Sequence, residues 1–556
     1  QAYQLFRAQL ASRHLDLAAR WLRSFGEGYY TIGSAGHEGN AAVAAALRPT
    51  DPALLHYRSG GFFCARAAQA GSLDAAIRDV LRGLVASAAE PIAGGRHKVF
   101  GSKDLNVIPT TSTIASHLPR AVGLGFAIQL GRKVWANAPY GTGAPWPDDS
   151  VVVCSFGDAS VNHAAATAAF NTAGWCDHTG LRLPLLFVCE DNGIGISVRS
   201  PDGWVARTLA NRPGIRYFTA DGCDLAATFD TATEAANWVR RHRRPAVLHL
   251  GMVRLMGHAG ADAEVGYRSP GQIAADLARD PLVATAGTLV TAGLASPEEL
   301  LDLYDQMGWQ VRKAAEAALA EPKLADATEV VAPLAPRYPA RVQRRVAEAA
   351  YLAAERAPAT RAEAFAGRLP EQAGPLTLAQ TINATLTDAL NSWPQTLVFG
   401  QDVAVKGGVY GVTKGLRERF GAHRVFDTLL DETSILGMGL GAGLAGLLPV
   451  PEIQYLAYLH NAEDQLRGEA ATMAFFSTGA YRNPLVVRIA GLAYQEGFGG
   501  HFHNDNAVAV LRDIPGLVVA CPARPDDAAG LLRTLLASAL VDGTVGVFLE
   551  PIALYH

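Results

Sequence analysis

Two short apolar runs, Val-Val-Val-Cys-Ser-Phe at 151–156 and Leu-Pro-Leu-Leu-Phe-Val-Cys at 183–189, flank an Ala-rich segment that reaches Trp175. Runs of this length read as buried strands, and a helical crossover between them makes them parallel neighbours. That arrangement puts the polar breaks after them, Gly157-Asp158-Ala159-Ser160 and Glu190-Asp191-Asn192-Gly193-Ile194-Gly195, at the same carboxyl edge of one sheet. Open α/β sheets bind their ligands at that edge.

The residues offered there are specific. A carboxylate (Asp158), an amide oxygen (Asn192) and nearby carbonyls are hard oxygen ligands suited to Mg²⁺, which shares its octahedral shell with phosphate oxygens and water. A helix beginning after Ser160 would present free N–H groups and a positive dipole end. Together these describe a pocket for a metal-bound diphosphate. Taken singly, Gly-Asp and Asn-Gly are ordinary turn punctuation.

Gly157-Asp158, then Asp191-Asn192 with 31 residues between Ala159 and Asp191, resembles the thiamine-diphosphate motif, Gly-Asp-Gly followed about thirty residues later by Asn-Asn. The flanks are similar to the first, decarboxylating component of 2-oxoacid dehydrogenase complexes. The resemblance implies metal ligation by Asp158, Asn192 and the backbone oxygen of Ile194, with Gly157, Ala159 and Ser160 beside the diphosphate. Two positions depart from the pattern. Ala159 replaces a Gly and adds a Cβ near the diphosphate, and Asp191 replaces an Asn and adds a negative charge near an anion.

The amino-terminal half fits this frame. Residues 1–25 have helical periodicity, and Gly33-Ser34-Ala35-Gly36-His37-Glu38 leads into an Ala-rich helix at 40–47. Tyr57-Arg58 at a Gly-rich turn can grip phosphate through a hydroxyl and a planar fork, or form a surface ion pair; the family resemblance implies the diphosphate role. Residues 94–119 resemble the branched-chain members, which implies that Ser112 contacts the aminopyrimidine and Ile114 props the cofactor into a bent shape; alone, Ile114 reads as core. After a strand at 246–251, the loop 252–268 resembles the family's mobile loop, which assigns a phosphate-contacting Arg to Arg254 and a catalytic His to His258. Ser296-Pro297-Glu298-Glu299 reads as a helix start.

Residues 336–374 shift to Ala, Arg, Glu and Pro and read as helix and linker. No internal repeat is visible. Beyond 375 the α/β pattern returns with a helix at 378–390 and strands at 396–399 and 543–550. Residues 426–446 are similar to the family's second subunit, which makes Glu432 the catalytic carboxylic acid held against the pyrimidine ring nitrogen. Without the family, Glu432 is a helix-start Glu favoured by the dipole. Tyr458 matches a cofactor-ring contact, and His503, counted back from Pro515-Gly516, matches the second-subunit catalytic His, leaving His501 a bystander in the glycine-rich stretch 497–506. Gly441 to Gly446 nominally fits a dinucleotide fingerprint, but no strand runs into it and helix-packing glycines explain it better.

Length and charge bound the rest. With 556 residues, 49% apolar, the chain has room for two or three domains, and a net charge of −4 excludes a basic nucleic-acid-binding protein. The run 240–244, stopped by Pro245, reads as a solvated helix end. Six dispersed cysteines read as buried free thiols of a reducing, cytoplasmic compartment. The longest uncharged stretch, at 433–451, is rich in Gly and ends in prolines, so it makes a poor membrane span.

The expectation is an α/β chain with two thiamine-diphosphate-binding-fold domains, each a mostly parallel sheet flanked by helices. Residues 1–340 would be an alpha-like diphosphate and Mg²⁺ domain, 341–375 helix and linker, and 376–556 a beta-like pyrimidine domain, with the family's C-terminal domain absent. The resemblance implies a fused homodimer with thiamine diphosphate and Mg²⁺ as cofactors. It implies oxidative decarboxylation of a 2-oxoacid, branched aliphatic by preference, and acyl transfer to a lipoyl-bearing acyltransferase component. The alternatives are a carboligase forming an acyloin, a degenerate binding homologue suggested by Ala159 and Asp191, and a nicotinamide enzyme using 441–446.

Overall fold

The computed structural model describes residues 1–135, 145–334, 338–355, 368–372, 374–494 and 499–556. The chain forms two compact units. The first comprises Gln1–His117, Asp149–Val330 and Phe476–Ala480, and the second Leu118–Asp148, Val331–Phe475 and Tyr481–His556.

The first unit is built on strands β1 (Ala53–Leu54), β2 (Val107–Ile108), β3 (Val152–Gly157), β4 (Leu185–Asp191), β7 (Arg216–Asp221) and β8 (Ala246–Gly251), with β5 (Ile194–Gly195) and β6 (Val198–Arg199) as a separate antiparallel hairpin. The six lie parallel in the order β2-β1-β3-β4-β8-β7. The two apolar runs are β3 and β4, paired in register from Val152 opposite Leu185 to Gly157 opposite Glu190. Their unbroken burial is that of a parallel strand covered on both faces. Phe156, Phe170 and Phe187 fix the crossover helix Ala164–His178 to these strands, with ring centroids 5.1 to 6.2 Å apart. Burying each ring contributes about 1.5–3 kcal/mol.

The crossover helix does not start directly after Ser160. A 3-10 turn, Asp158–Asn162, intervenes, and the α-helix begins at Ala164, where the extended His163 caps it by accepting the Ala165 N–H. The free N–H groups of the helix therefore lie further along the chain than the sequence pattern implies.

The second unit contains β9 (Thr396–Gly400), β10 (Val425–Asp427), β11 (Leu448–Ile453), β12 (Leu485–Gly491), β13 (Val518–Ala520) and β14 (Val545–Pro551), parallel in the order β10-β9-β11-β12-β14-β13. Numbered by first appearance within its own unit, each sheet reads 2-1-3-4-6-5. A topological repeat thus exists where the sequence showed none, because many apolar sequences build the same parallel strands.

Glycines set the packing in the second unit. The helix Glu432–Leu444 lies against the helix Leu118–Trp135 so closely that a Cβ on Gly441 would sit 1.9 Å from the Leu124 nitrogen, and one on Gly437 2.3 Å from Pro119. Gly441 and Gly443 are inside that helix, so 441–446 is a packing surface rather than a strand-to-helix phosphate turn.

In the linker region a helix spans Pro339–Glu355; 356–367 and 373 lie outside the described residues, as do 495–498, which include the start of the expected 497–506 loop. Five cysteines are buried free thiols, but Cys521, just past β13, is exposed. Among the described residues no helix is long and apolar enough to cross a membrane.

Gly441→Ala is expected to lower the urea midpoint, since overpacking against backbone costs about 1–3 kcal/mol or more. Gly287→Ala, with open space around its Cβ, should leave the midpoint unchanged or slightly raised. Equal midpoints for the two variants would refute the close helix packing.

Candidate functional site

The parallel pairing of Gly157 with Glu190 places Asp158 and Asp191 one residue further on, at the carboxyl edge of the first sheet. Asp158 is buried, and its carboxylate accepts from the Ser200 hydroxyl. Burial pushes the Asp158 carboxyl above its usual range, with Asp191 adding to the effect and Ser200 opposing it. Asn192 opens the turn after β4; its Oδ1 accepts the Ile194 N–H at 3.1 Å and its amide nitrogen donates to His37 Nε2 at 2.9 Å. Ile194 is buried at the start of the small hairpin.

Both departures from the motif are accommodated locally. Asp191 Oδ1 accepts the Gly193 N–H at 2.9 Å and Oδ2 pairs with His249 Nε2 at 2.8 Å, which engages both carboxylate oxygens. A Cβ on Gly195 would lie 2.6 Å from that of Ala159, so the methyl of Ala159 fills the space that a glycine at 195 leaves open. Ser160, also buried, closes the 3-10 turn through its carbonyl, which accepts the His163 N–H.

Ser155 on β3 ties two further segments to this edge. Its hydroxyl accepts the His56 N–H at 2.8 Å, which anchors the Tyr57-Arg58 turn, and its carbonyl accepts from His117 Nε2 at 2.8 Å, which anchors the turn carrying Ser112 and Ile114. Ser112 and Ile114 are both half-buried, and Ala115 beside them adopts a left-handed φ of 62°. Tyr57 lies within electrostatic reach of Arg58, Asp158 and Arg254, which groups these four residues.

The cations carry the clearest signal. Arg58 is 3% exposed and donates to the Gly33 carbonyl (2.5 Å), the His258 carbonyl (3.3 Å) and His258 Nδ1 (3.0 Å). Arg254 is 1% exposed and donates to the Ile196 carbonyl (2.7 Å) and the Tyr267 hydroxyl (2.6 Å), while its Nε is buried with no partner. Among the described residues neither guanidinium forms an ion pair with a carboxylate. Buried charges without a counter-ion are costly, so the pair suits an anionic ligand. Burial, reinforced by Arg254, pulls the Arg58 guanidinium below its usual pKa. Two unneutralised buried guanidiniums and a set of hard oxygen donors fit a metal-bound diphosphate.

The loop after β8 is clasped by Asp262, which accepts the His258 N–H at 2.6 Å and the Tyr267 hydroxyl. With Nδ1 accepting from Arg58, His258 carries its hydrogen on Nε2. Burial, Arg58 and Arg254 together lower its pKa to about 4.

The second unit holds the remaining predicted residues. Glu432 is the first residue of its helix, behind the cap Asp431, and is buried. Asn461 donates to Glu432 Oε2 at 3.4 Å and its carbonyl accepts the Thr433 hydroxyl at 3.0 Å. The Asn461 N–H in turn bonds the Tyr458 carbonyl at 3.1 Å. Tyr458 pairs through its hydroxyl with His503 Nε2 at 3.1 Å, while His503 Nδ1 donates to the Gly499 carbonyl at 3.0 Å. The His503 ring also stands edge-on to Tyr455, 4.6 Å between centroids. His501 is exposed against Phe502, and both histidines sit on a short helix, Gly500–His503.

The first unit thus gathers Tyr57, Arg58, Gly157, Asp158, Ala159, Ser160, Asn192, Ile194, Arg254 and His258 around one sheet edge, with Ser112 and Ile114 on an adjoining turn, and the second links Glu432, Tyr458 and His503. Sequence reasoning missed the residues that hold these groups: His37, Asn40, Ser59, Glu190, Ser200, Tyr267 and Asn461. Only His37, next to Glu38 in a Gly-flanked stretch, carried any signal.

Residues 7–326 match the sequence model of the family described as dehydrogenase E1 component, and residues 375–554 that of the transketolase pyrimidine binding domain. The chain is 38% identical over 186 residues to the pyruvate dehydrogenase E1 component subunit beta of Bacillus subtilis (strain 168), covering 33% of this chain and 54% of that protein. It is 40% identical over 185 residues to the 3-methyl-2-oxobutanoate dehydrogenase subunit beta of Mycobacterium tuberculosis (strain ATCC 25618 / H37Rv), covering 33% of this chain and 50% of that protein. The chain therefore spans about half the length of the curated relatives it matches. With the first family match extending over more than half of the 556 residues, the chain belongs to the dehydrogenase E1 component family, its alpha-type and beta-type parts fused in one polypeptide.

Proposed function

We propose that the chain is a 2-oxoacid dehydrogenase that uses thiamine diphosphate and Mg²⁺ and passes the acyl group to a lipoyl-bearing acyltransferase. The observation that carries this reading is the pair of buried guanidiniums, Arg58 and Arg254, without a carboxylate partner among the described residues, beside the oxygen donors of Asp158, Asn192 and Ile194.

In this reading Asp158, Asn192 Oδ1 and the Ile194 carbonyl hold the metal. Tyr57, Arg58 and Arg254 take the diphosphate, and Gly157, Ala159 and Ser160 line it. Ser112 and Ile114 support the aminopyrimidine. Bound thiamine diphosphate supplies the electron sink for decarboxylation. Glu432 holds a proton at the pyrimidine nitrogen, with Asn461 fixing its carboxyl. Tyr458 would contact the cofactor ring, and its hydroxyl orients His503. His258, neutral and with its hydrogen on Nε2, and His503, with Nε2 turned to Tyr458, steer the substrate carboxylate.

The substrate is a short branched 2-oxoacid. The likeness of residues 94–119 to the branched-chain members supports this choice; the cavity of about 70 Å³ beside Tyr57 does not decide it, since Asp16, Tyr30, His97 and Lys98 line it together with Leu15, Ile32 and Val80. The working assembly is a homodimer, which sedimentation should report as a single species of twice the chain mass.

Titration calorimetry with thiamine diphosphate and Mg²⁺ should show binding by the wild-type protein, weakened at least tenfold in Arg58→Met; no heat at high protein concentration would refute the functional reading. Glu432→Gln should bind the cofactor nearly as well as wild type but lose roughly 10²–10⁴-fold in decarboxylation with an artificial electron acceptor. Across a panel of 2-oxoacids, 3-methyl-2-oxobutanoate should give a higher kcat/KM than pyruvate, and an acyloin formed with added aldehyde in preference to acyl-lipoyl product would reassign the acceptor.

His258 should titrate by NMR near pH 4 in the free protein, and a diphosphate bound at Arg58 should raise that value. Because the folded pKa lies below the unfolded 6.5, the unfolded chain takes up the proton first. His258 therefore makes no pH-dependent contribution above about pH 6.5 and lowers stability as pH falls from there toward 4. A His258 pKa at or above 6.5 without ligand would contradict the Arg58 contact.

A further inference from the structure

Behind the carboxyl edge of the first sheet lies a fully buried polar network whose hydrogens can be assigned from two backbone donors. His37 is 0% and Glu190 1% exposed. The Phe62 N–H donates to Asn40 Oδ1 at 2.7 Å, and a backbone N–H can only donate. The Asn40 amide nitrogen must then be the end that meets Glu190 Oε2, at 3.1 Å. Ser59 donates to the other oxygen, Oε1, at 2.6 Å. At the far end the Ile194 N–H donates to Asn192 Oδ1, which leaves the Asn192 amide nitrogen facing His37 Nε2 at 2.9 Å.

His37 is caught between these two fixed ends. Its Nε2 must accept from Asn192, so its hydrogen sits on Nδ1 and is donated to Glu190 Oε2 at 2.8 Å. This ordering removes the usual ambiguity of amide flips and histidine tautomers. The ligand atoms of His37, His56 and Glu190 all lie within 4.8 Å of one another, near enough to surround a cation. Against a metal there, Glu190 already receives three donors and both His37 nitrogens are in use. The cluster reads as a closed relay directed at Asn192.

We propose that His37, locked by Glu190, is a positioning residue that keeps the Asn192 amide turned so that its oxygen, not its nitrogen, is presented to the divalent cation. This rests on the reading of Asn192 as a metal ligand. The Ile194 N–H on Oδ1 favours this orientation from one side and the His37 Nε2 lone pair, accepting from the amide nitrogen, reinforces it from the other; a turned amide would offer N–H donors to a cation and set its oxygen against that lone pair. Outer partners that orient a ligand typically matter 10–100-fold in metal affinity. Gln at position 37 can do what His does, donating from its amide nitrogen to Glu190 and accepting from Asn192 on its oxygen, whereas Leu can do neither.

The test is Mn²⁺ binding in the presence of thiamine diphosphate, followed by electron paramagnetic resonance on the full chain, with thermal midpoints measured alongside. His37→Leu should weaken Mn²⁺ about 10–100-fold, and His37→Gln should restore most of that loss at a similar midpoint. Unaltered affinity in His37→Leu overturns the inference while leaving the functional reading intact, as does a His37→Gln protein that folds normally yet binds as weakly as His37→Leu. A wild-type protein that binds no Mn²⁺ overturns both. Independently of any variant's folding, ¹⁵N NMR of histidine-labelled wild-type protein should find the His37 hydrogen on Nδ1; a hydrogen on Nε2 refutes the relay.

Discussion

The register between β3 and β4 is the constraint on which the candidate site of the first unit depends. Pairing Gly157 with Glu190 sets the Asp158 turn and the Asn192 turn side by side. Because side chains alternate along a strand, a slip of one residue would turn both turns and bury their polar groups elsewhere. The aromatic contacts of Phe156, Phe170 and Phe187 hold the crossover helix over these strands. The core therefore fixes chemistry at the rim of the sheet, the usual division of labour in open parallel sheets.

Around that rim the charges suit an anionic ligand. Arg58 and Arg254 use backbone carbonyls, His258 and a tyrosine hydroxyl as hydrogen-bond partners, which orient the guanidiniums without cancelling their charge. Asp262, the nearby carboxylate, is engaged by the His258 N–H and by Tyr267, one hydroxyl removed from Arg254. Such an arrangement carries an electrostatic cost that an anionic ligand would relieve. Burial, reinforced by the same cations, holds the His258 pKa down.

The two units share the strand order 2-1-3-4-6-5 yet differ in what they place at the strand ends. In the first, short polar turns carry oxygen donors and cations. In the second, a glycine-rich helix begins at Glu432, and its close packing on the helix Leu118–Trp135 demands glycine at 437 and 441. One architecture thus supports two different chemistries through its loops and helix starts.

Much of this was legible in the amino-acid order. Two apolar runs of strand length and an Ala-rich spacer determine a parallel pair with a crossover, and the residue types at their ends supply oxygen donors of the kind that a metal-bound phosphate needs. These are local properties, written in periodicity and side-chain chemistry. The start of the crossover helix was misjudged because a 3-10 turn capped by His163 competes with the helix there, and no periodic signal separates the two over five residues. The partners Glu190 on His37, Asn40 and Ser59 on Glu190, Ser200 on Asp158 and Asn461 on Glu432 were out of reach, since these contacts join residues 29 to 153 positions apart. The sequence determined which functional groups are present and on which strand ends they sit. Only the tertiary structure decided which lone pair and which hydrogen each one presents, because hydrogen-bond direction is set by neighbours that folding brings together.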